Sequence, residues 1–296
     1  MSFDNAYEAI VEEHPEGDTR WAFGTGFDDP LSGTDTTVPP GIDGSDLAAY
    51  CLMLGDDALV LSHRLTEWVT RAHELEDEVA LANIALDLLG QARLLLSRAG
   101  QADGSGRGED ALAYFRDEHE FRNVRLPELP GGDFAQTTAG LLVLSTWRLA
   151  LLNRLTGSAD PVLAAIAAKG VKEVTYHRDY AARWVIRLGD STAYSAERMQ
   201  QGLAAVWPLV EELFTGHDTE RRLAAAGVAV ESGELRAEFD AVLAQVLEQA
   251  NLSTPEVAPL GSVGGRAGRD GVHTEHFGYL LAEMQSLARA DPEATW

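Results

Sequence analysis

Carboxylate, amide and imidazole side chains recur at helical spacing in two apolar stretches of the sequence. In the first, Asn83, Asp87 and Gln91 follow one another at intervals of four, which places them in one narrow stripe along a helix. The second carries Glu173 and His177 at the same interval. Carboxylates and imidazoles from facing helices hold two metal ions in the di-iron helical bundles. The pattern therefore suggests a metal centre, which can be tested against the ligands that such a centre needs.

A di-iron centre of the ferritin-like kind needs a Glu from each of two helices and a Glu-x-x-His pair from each of two others. The sequence does not supply this set. Gly90 stands three residues after Asp87, where the pair would need a His, and Val174 stands three residues before His177, where it would need a Glu. The predicted helix that follows Asp133 contains no carboxylate. We therefore expect no metal site in this chain.

Two interpretations of these polar side chains stay open. In the first, Asn83, Asp87 and Glu173 belong to a polar network in the core of a bundle, where each carboxylate pairs with an Arg or a His because an unpaired buried charge is costly. In the second, Glu67, Asp87, Glu173 and His177 hold a metal ion and the chain is a metalloenzyme. We favour the network on the ligand count, and we assign no catalytic or cofactor-binding residue to this chain.

The apolar stretch from Leu75 to Ala99 predicts the helix around which the rest of the chain is organised. It contains no proline, it opens on three acidic residues, and Leu, Ile, Ala and Val occupy most of its faces. At the usual rise per residue such a helix is roughly 36 Å long. A helix that is apolar on most faces belongs in the middle of a bundle. We therefore predict an all-α fold, a ferritin-like helical bundle with additional C-terminal helices.

Capping and turn signals predict the other helices. Asp133 and Asp160 stand where N-caps are expected, and Pro161 takes the first helical position after Asp160. Pro208 predicts a kink in the helix that contains it. We find no convincing strand. The predicted helices cover residues 46–70, 75–99, 110–121, 134–155, 161–188, 195–214, 219–226, 234–250 and 274–290.

The first 44 residues differ from the rest of the chain because they are rich in Gly, Asp, Thr and Pro. This composition predicts an extended or disordered N-terminal arm over residues 1–44, followed by the helical domain over residues 45–296. Three aromatic residues are unusual in a free tail and could be anchors that dock on a surface. They are Trp21, Phe23 and Phe27.

Two features of the C-terminal part could be involved in binding. The segment 255–271 is rich in glycine but lacks the Gly-Lys-Ser/Thr ending of a phosphate loop, so we interpret it as a flexible linker. His273, Glu275 and His276 crowd the start of the last predicted helix. A zinc site there would need further ligands from elsewhere in the chain. We expect these three side chains to order the tail through hydrogen bonds or to form an interface.

Charge and composition exclude some classes of function. A net charge of -24, with lysine only at Lys169 and Lys172, would repel a phosphate backbone, so we expect no nucleic-acid partner. The N-terminus lacks the apolar core of a secretory signal, and no apolar run is long enough to cross a membrane. We therefore expect a cytoplasmic protein without a membrane span. Cys51, the sole cysteine, is expected to be a buried apolar side chain.

Four long motifs stand in the same order here as in one known family: DDALVLSHRLTEW, LANIALDLLGQAR, AAKGVKEVTYH and GVHTEHFGYLLAEMQ. They resemble the C-type subunit (the PaaC family) of the phenylacetyl-CoA ring epoxidase, as does the run RDEHEFRNVRLPELPGGDFAQT. The resemblance extends from about Asp46 to Trp296. It implies a ferritin-like helical fold and a role in the multicomponent monooxygenase of aerobic phenylacetate degradation.

The resemblance also implies partners and cofactors outside this chain. In that enzyme a separate A-type subunit holds the di-iron site and binds phenylacetyl-CoA. A flavin and iron–sulfur reductase brings electrons from NADPH, and the complex uses O2 to epoxidise the aromatic ring. The C-type subunit is the structural, non-catalytic partner, so we expect a hetero-oligomer and no cofactor in this chain. A helical adaptor unrelated to oxygenation is the further alternative.

The resemblance makes four positions vestiges of a metal site. When LDLLGQ is aligned with the Glu-Ala-Gly-His segment of the catalytic subunit so that the glycines match, Leu88 stands at the position of the Glu and Gln91 at that of the His. In KEVTYH, Val174 takes the position of the second Glu, while His177 keeps the His. The resemblance therefore agrees with the ligand count, which depends on the spacing of residues alone.

Overall fold

We analysed a computed structural model of the chain, which describes Leu31 and residues 33–293. The chain divides into two compact units, residues 1–33 and residues 34–296, and the description below concerns the second. The division falls after Gly33, whereas the sequence places the end of the arm at Gly44. The expected anchors at positions 21, 23 and 27 lie outside the described residues.

The described residues form α-helices joined by short turns and 3-10 segments. An isolated bridge between Val263 and Arg266 is the one β-type pairing in the part of the chain that the structure describes. The α-helices, numbered in chain order, are α1 (Gly44–Thr66), α2 (Leu75–Ala102), α3 (Glu109–Tyr114), α4 (Phe134–Leu155), α5 (Pro161–Ser191), α6 (Ala193–Val206), α7 (Asp218–Ala225), α8 (Arg236–Gln249) and α9 (Glu275–Ala290).

Aspartate side chains cap the two helices for which they were predicted as N-caps. The Asp133 carboxylate accepts a hydrogen bond from the Gln136 backbone N–H at 2.9 Å. The Asp160 carboxylate accepts one from the Leu163 N–H at 2.8 Å, and Pro161 holds the first position of α5. Each bond satisfies an N–H that has no partner within its own helix. The predicted starts of α4 and α5 are confirmed.

Four long helices build the bundle as two antiparallel pairs, α1 with α2 and α4 with α5, and α2 also packs against α5. The inner side of α2 follows a spacing of four and three residues that is typical of helix–helix seams. Its members are all buried, and they are Leu81, Ala85, Leu88, Ala92, Leu95 and Ala99. The prediction of an all-α, ferritin-like bundle is confirmed.

Helix α2 does not lie in the middle of this bundle, so the sequence-based expectation for its surroundings is wrong. Leu75, Val79 and Leu86 expose 70%, 52% and 52% of their surface. Helix α2 is long and apolar enough to cross a membrane by length and composition alone. Core helices of soluble proteins meet the same criterion. The neighbours of α2 cover one side only, because α1 and α5 both pack on the arc that contains the inner seam.

The helix predicted over residues 195–214 is shorter than expected. Helix α6 ends at Val206, and two 3-10 segments, Trp207–Leu209 and Glu211–Phe214, follow it. Pro208 ends the α-helix because proline has no N–H to donate and its ring clashes with the carbonyl one turn earlier. The expected kink is therefore a helix end.

The glycine-rich segment 255–271 is exposed over residues 256–266 but is hydrogen-bonded to the rest of the fold at several positions, so its interpretation as a flexible linker is wrong. The Leu260 N–H donates to the Pro208 carbonyl at 2.6 Å, and the Gly268 N–H donates to the Glu212 carboxylate at 3.0 Å. Arg269 donates to the Asp57 carboxylate through both terminal nitrogens, at 3.0 and 2.8 Å. These bonds join the segment to α1 and to the turn after α6.

The thiol of Cys51 is expected to be unreactive in the folded protein. Cys51 is fully buried within α1, as predicted, and burial raises the pKa of its thiol. Because the thiolate is the reactive form, we expect a disulfide reagent such as DTNB to label the native protein at pH 8 at least about a hundredfold more slowly than the protein in 8 M urea. Rapid labelling of native protein would contradict the described packing of α1.

Candidate functional site

The predicted polar residues of α2 and α5 meet where the two helices pack against each other. His177 lies on the buried side of α5, and its Nε2 is 3.0 Å from a carboxylate oxygen of Asp87 on α2. The His177 side chain is 1% exposed, whereas that of Asp87 is 36% exposed. The pair therefore lies at the edge of the bundle, with the imidazole inside and the carboxylate at the rim.

One helical turn further along α2, a chain of hydrogen bonds crosses the bundle. The Gln91 amide donates to a Glu173 carboxylate oxygen at 2.8 Å, and the other Glu173 oxygen pairs with Lys169. The Gln91 amide oxygen accepts from Arg148 Nε of α4 at 2.9 Å. The Glu173 carboxylate thus lies between the Lys169 ammonium and the Gln91 amide, and Gln91 links it to the Arg148 guanidinium.

Arg148, like Lys169, is a component of this network that was not predicted from the sequence. It is buried in α4, where its guanidinium also donates to the Leu54 carbonyl at 3.2 Å. Burial lowers the pKa of Arg148 to about 10, so the group stays positively charged at neutral pH. The available signal was an arginine in the middle of an otherwise apolar helix, which requires buried acceptors.

Two buried apolar residues and a glycine lie on the same helices as the network, α2 and α5. Leu88 and Val174 are buried, 1% and 0% exposed. Gly170 lets α5 approach closely, because a Cβ at this position would lie 2.9 Å from Leu152 and 3.5 Å from Gln91. The site is therefore a packed contact between three helices and contains two cationic side chains.

The donor set does not fit a di-iron centre. Such a centre gathers several carboxylates because two metal ions need their negative charge. Here the Glu173 carboxylate is bonded to the Gln91 amide and to Lys169, and the other carboxylate of this contact, Asp87, pairs with His177. Within residues 31 and 33–293, no three His, Cys, Asp or Glu side chains come together in a group that could hold a metal ion.

Comparison with known proteins assigns the chain to a family. Residues 33–296 match the model of the family described as phenylacetic acid catabolic protein. The chain belongs to this family. A relative from Escherichia coli (strain K12), the C subunit of 1,2-phenylacetyl-CoA epoxidase, is 44% identical over 252 residues, which cover 85% of this chain and 100% of the relative. The resemblance to the C-type epoxidase subunit, and with it a link to phenylacetate catabolism, is confirmed.

In this member of the family, not every predicted polar residue joins the network. Asn83 is exposed, because no helix in the described part of the chain covers its side of α2, so its assignment to a polar core is wrong. Asp87 and Glu173 are half-buried rather than enclosed. Glu67, a ligand in the metalloenzyme interpretation, lies just beyond α1 and accepts a hydrogen bond from Arg64 at 2.7 Å.

A second polar cluster forms at the start of α9, around a fully buried Glu128. His273 Nδ1 lies 2.6 Å from one Glu128 oxygen, and the Thr274 N–H donates to the other at 2.7 Å. Glu275, the first residue of α9, is exposed, and His276 accepts a hydrogen bond from Arg64 through its backbone carbonyl at 3.2 Å. The His273 side chain therefore tethers the C-terminal helix to the segment before α4.

Proposed function

We propose that this chain is the non-catalytic structural subunit of a multicomponent phenylacetyl-CoA epoxidase of aerobic phenylacetate degradation. In this proposal it supports a separate A-type subunit that holds the di-iron site. The observation that carries the proposal is the hydrogen-bonded chain of Arg148, Gln91, Glu173 and Lys169. This hydrogen-bonded chain places two cations, Arg148 and Lys169, between α2, α4 and α5, where they would repel a metal ion. The Gln91 amide oxygen already accepts a hydrogen bond from Arg148.

The replacement of acidic ligands at such a site has a physical reason. Without metal ions, several buried carboxylates would repel one another and lose their hydration. Leu88 and Val174 pack in the interior at no such cost. Lys169 pairs directly with Glu173, and the amide of Gln91 links the same carboxylate to Arg148. A bundle built in this way is stable without a cofactor and can serve as a rigid support for a partner.

The proposal assigns the cofactors to other components. The A-type subunit would hold the two iron ions, and a flavin and iron–sulfur reductase would deliver electrons from NADPH for the reaction with O2. The relative is named as one subunit of an epoxidase, which supports hetero-oligomeric partners. The whole assembly would work in the cytoplasm, where CoA thioesters are formed.

Metal analysis of the purified chain tests the proposal. We expect no stoichiometric iron in the chain purified alone, and about two iron ions per catalytic subunit in the complex, as a di-iron site requires. We also expect no epoxidation of phenylacetyl-CoA by this chain with reductase alone. Stoichiometric iron in the lone chain that disappears in a His177→Ala variant would overturn the proposal and favour a metalloenzyme.

A further inference from the structure

Helix α2 carries a second apolar seam, on the side that its own bundle leaves uncovered. Starting at Leu75, apolar residues recur at intervals of four, three, four and three. Three of them expose half or more of their surface, and the other two are half-buried. We call this row the open seam, and its members are Leu75, Val79, Ala82, Leu86 and Leu89.

The spacing of the open seam is the one that packs against another helix. Alternating steps of three and four residues keep a stripe of side chains facing a partner helix, so that each side chain can enter a gap between its neighbours. The inner seam, from Leu81 to Ala99, has the same spacing and is buried in the bundle. Helix α2 is therefore built to contact helices on two sides, and the described part of the chain covers one of them.

The outer face of α5 shows what an uncovered face looks like elsewhere in this bundle. Helix α5 also packs on α2 and α4, and its exposed positions include Lys172, Thr175, Asp179 and Arg183. These are polar side chains, as expected on a helix face that stays in water, and the one large ring among them is Tyr176, which is 48% exposed. On α2, by contrast, three large aliphatic side chains are exposed in one row, Leu75, Val79 and Leu86. Exposed apolar rows of this kind mark interaction surfaces.

Charge around the open seam indicates the chemistry of the partner. Glu74, Glu76 and Glu78 flank its N-terminal end, and none of these carboxylates forms an ion pair among the residues that the structure describes. Two arginines of α5, Arg183 and Arg187, line the same groove as Glu74 and Glu76 without pairing with them. The net charge of -24 opposes association of two copies of this chain. Beyond Leu89 the seam ends at Arg93, which is paired with Glu109 at 2.7 Å. A complementary partner presents basic side chains next to the acidic end.

We propose that the open seam docks an α-helix of the catalytic partner subunit. That helix has apolar side chains at heptad spacing and a Lys or Arg where it meets Glu74, Glu76 and Glu78. This inference rests on the proposed function, since it takes the occupant to be the catalytic subunit. To the proposed structural role it adds the surface that binds the partner, the geometry of the contact and the sign of the partner's charge.

A single charge in the middle of the open seam tests the docking surface. We expect Leu86→Arg to weaken binding of this chain to the catalytic subunit about tenfold or more, because a hot-spot contact is replaced by a desolvated cation. Leu287→Arg in α9 is the matched control, because Leu287 is also a helical leucine and is 60% exposed. We expect the control to bind within about twofold of the wild type. Titration of immobilised catalytic subunit gives both affinities, and thermal melts of each lone variant verify folding.

The outcomes separate this inference from the proposed function. Equal affinity of Leu86→Arg and wild-type protein, in a complex that still epoxidises phenylacetyl-CoA, overturns the docking surface and leaves the structural-subunit proposal standing. A wild-type chain that forms no complex, or that is active alone, overturns both. If the lone wild-type chain sediments as a dimer and Leu86→Arg as a monomer, the occupant is a second copy and the inference is wrong.

The acidic end of the seam has a test of its own. We expect Glu76→Lys to slow association with the catalytic subunit by several-fold at low salt, and the difference from wild type to shrink as the ionic strength rises. Faster association of this variant would show that the partner is acidic here and would overturn the charge assignment.

Discussion

Replacing Arg98 with leucine is expected to lower the free energy of unfolding by about 3–5 kcal/mol, the usual cost of breaking a buried ion pair. Arg98 of α2 pairs with Asp160, and both side chains are fully buried. Its guanidinium also donates to the Thr36 carbonyl, which ties the segment before α1 to α2. Without Arg98, the buried Asp160 carboxylate loses its counter-charge and retains only its bonds at the start of α5.

Urea denaturation followed by circular dichroism measures this loss. Arg107→Leu is a suitable control because Arg107 pairs with Asp103 on the surface at 3.3 Å, with a side chain 45% exposed. We expect the control to change the free energy of unfolding by less than about 1 kcal/mol. A further Asp160→Asn change in the Arg98→Leu protein should recover part of the stability, since asparagine keeps the helix cap without the charge. Equal losses for Arg98→Leu and Arg107→Leu would contradict the buried pair.

Replacing His273 with leucine is the second change from which we expect a large effect, about 3 kcal/mol or more. One ring nitrogen of His273 faces the Glu128 carboxylate at 2.6 Å, and the other faces the Phe121 carbonyl at 3.2 Å. The imidazole of His273 thus bridges two buried acceptors, one on each side of the ring. Leucine would leave the buried carboxylate of Glu128 without this polar partner.

Amide hydrogen exchange identifies where this stability is lost. We expect the amides of α9 and of the segment 118–128 to lose protection in His273→Leu, because the Glu128 cluster joins them. His276→Leu is the matched control, since His276 contributes its backbone carbonyl to Arg64. Unchanged protection of α9 in His273→Leu would mean that the tether does not hold this helix.

Features that depend on residues close together in the chain could be predicted from the sequence. The caps at Asp133 and Asp160 were predicted because a capping side chain bonds an N–H three residues away. The absence of a Glu-x-x-His pair followed from spacing within one helix, and the four motifs were enough for the family, which the comparisons confirm. All of these properties are set by local order along the chain.

Features that depend on distant contacts required the structure. Sequence alone could not place Arg148 beside Gln91, because the two are 57 positions apart and meet only when α4 packs against α2. It could not tell that Asn83 faces water while His177 is buried, because both lie on helices that are apolar over much of their surface. Periodicity shows how wide the apolar face of a helix is, whereas its neighbours in space determine which part is covered. The apolar faces of α2 predicted a central helix. In the fold, neighbouring helices cover its inner seam and leave the open seam exposed, so α2 lies at an edge.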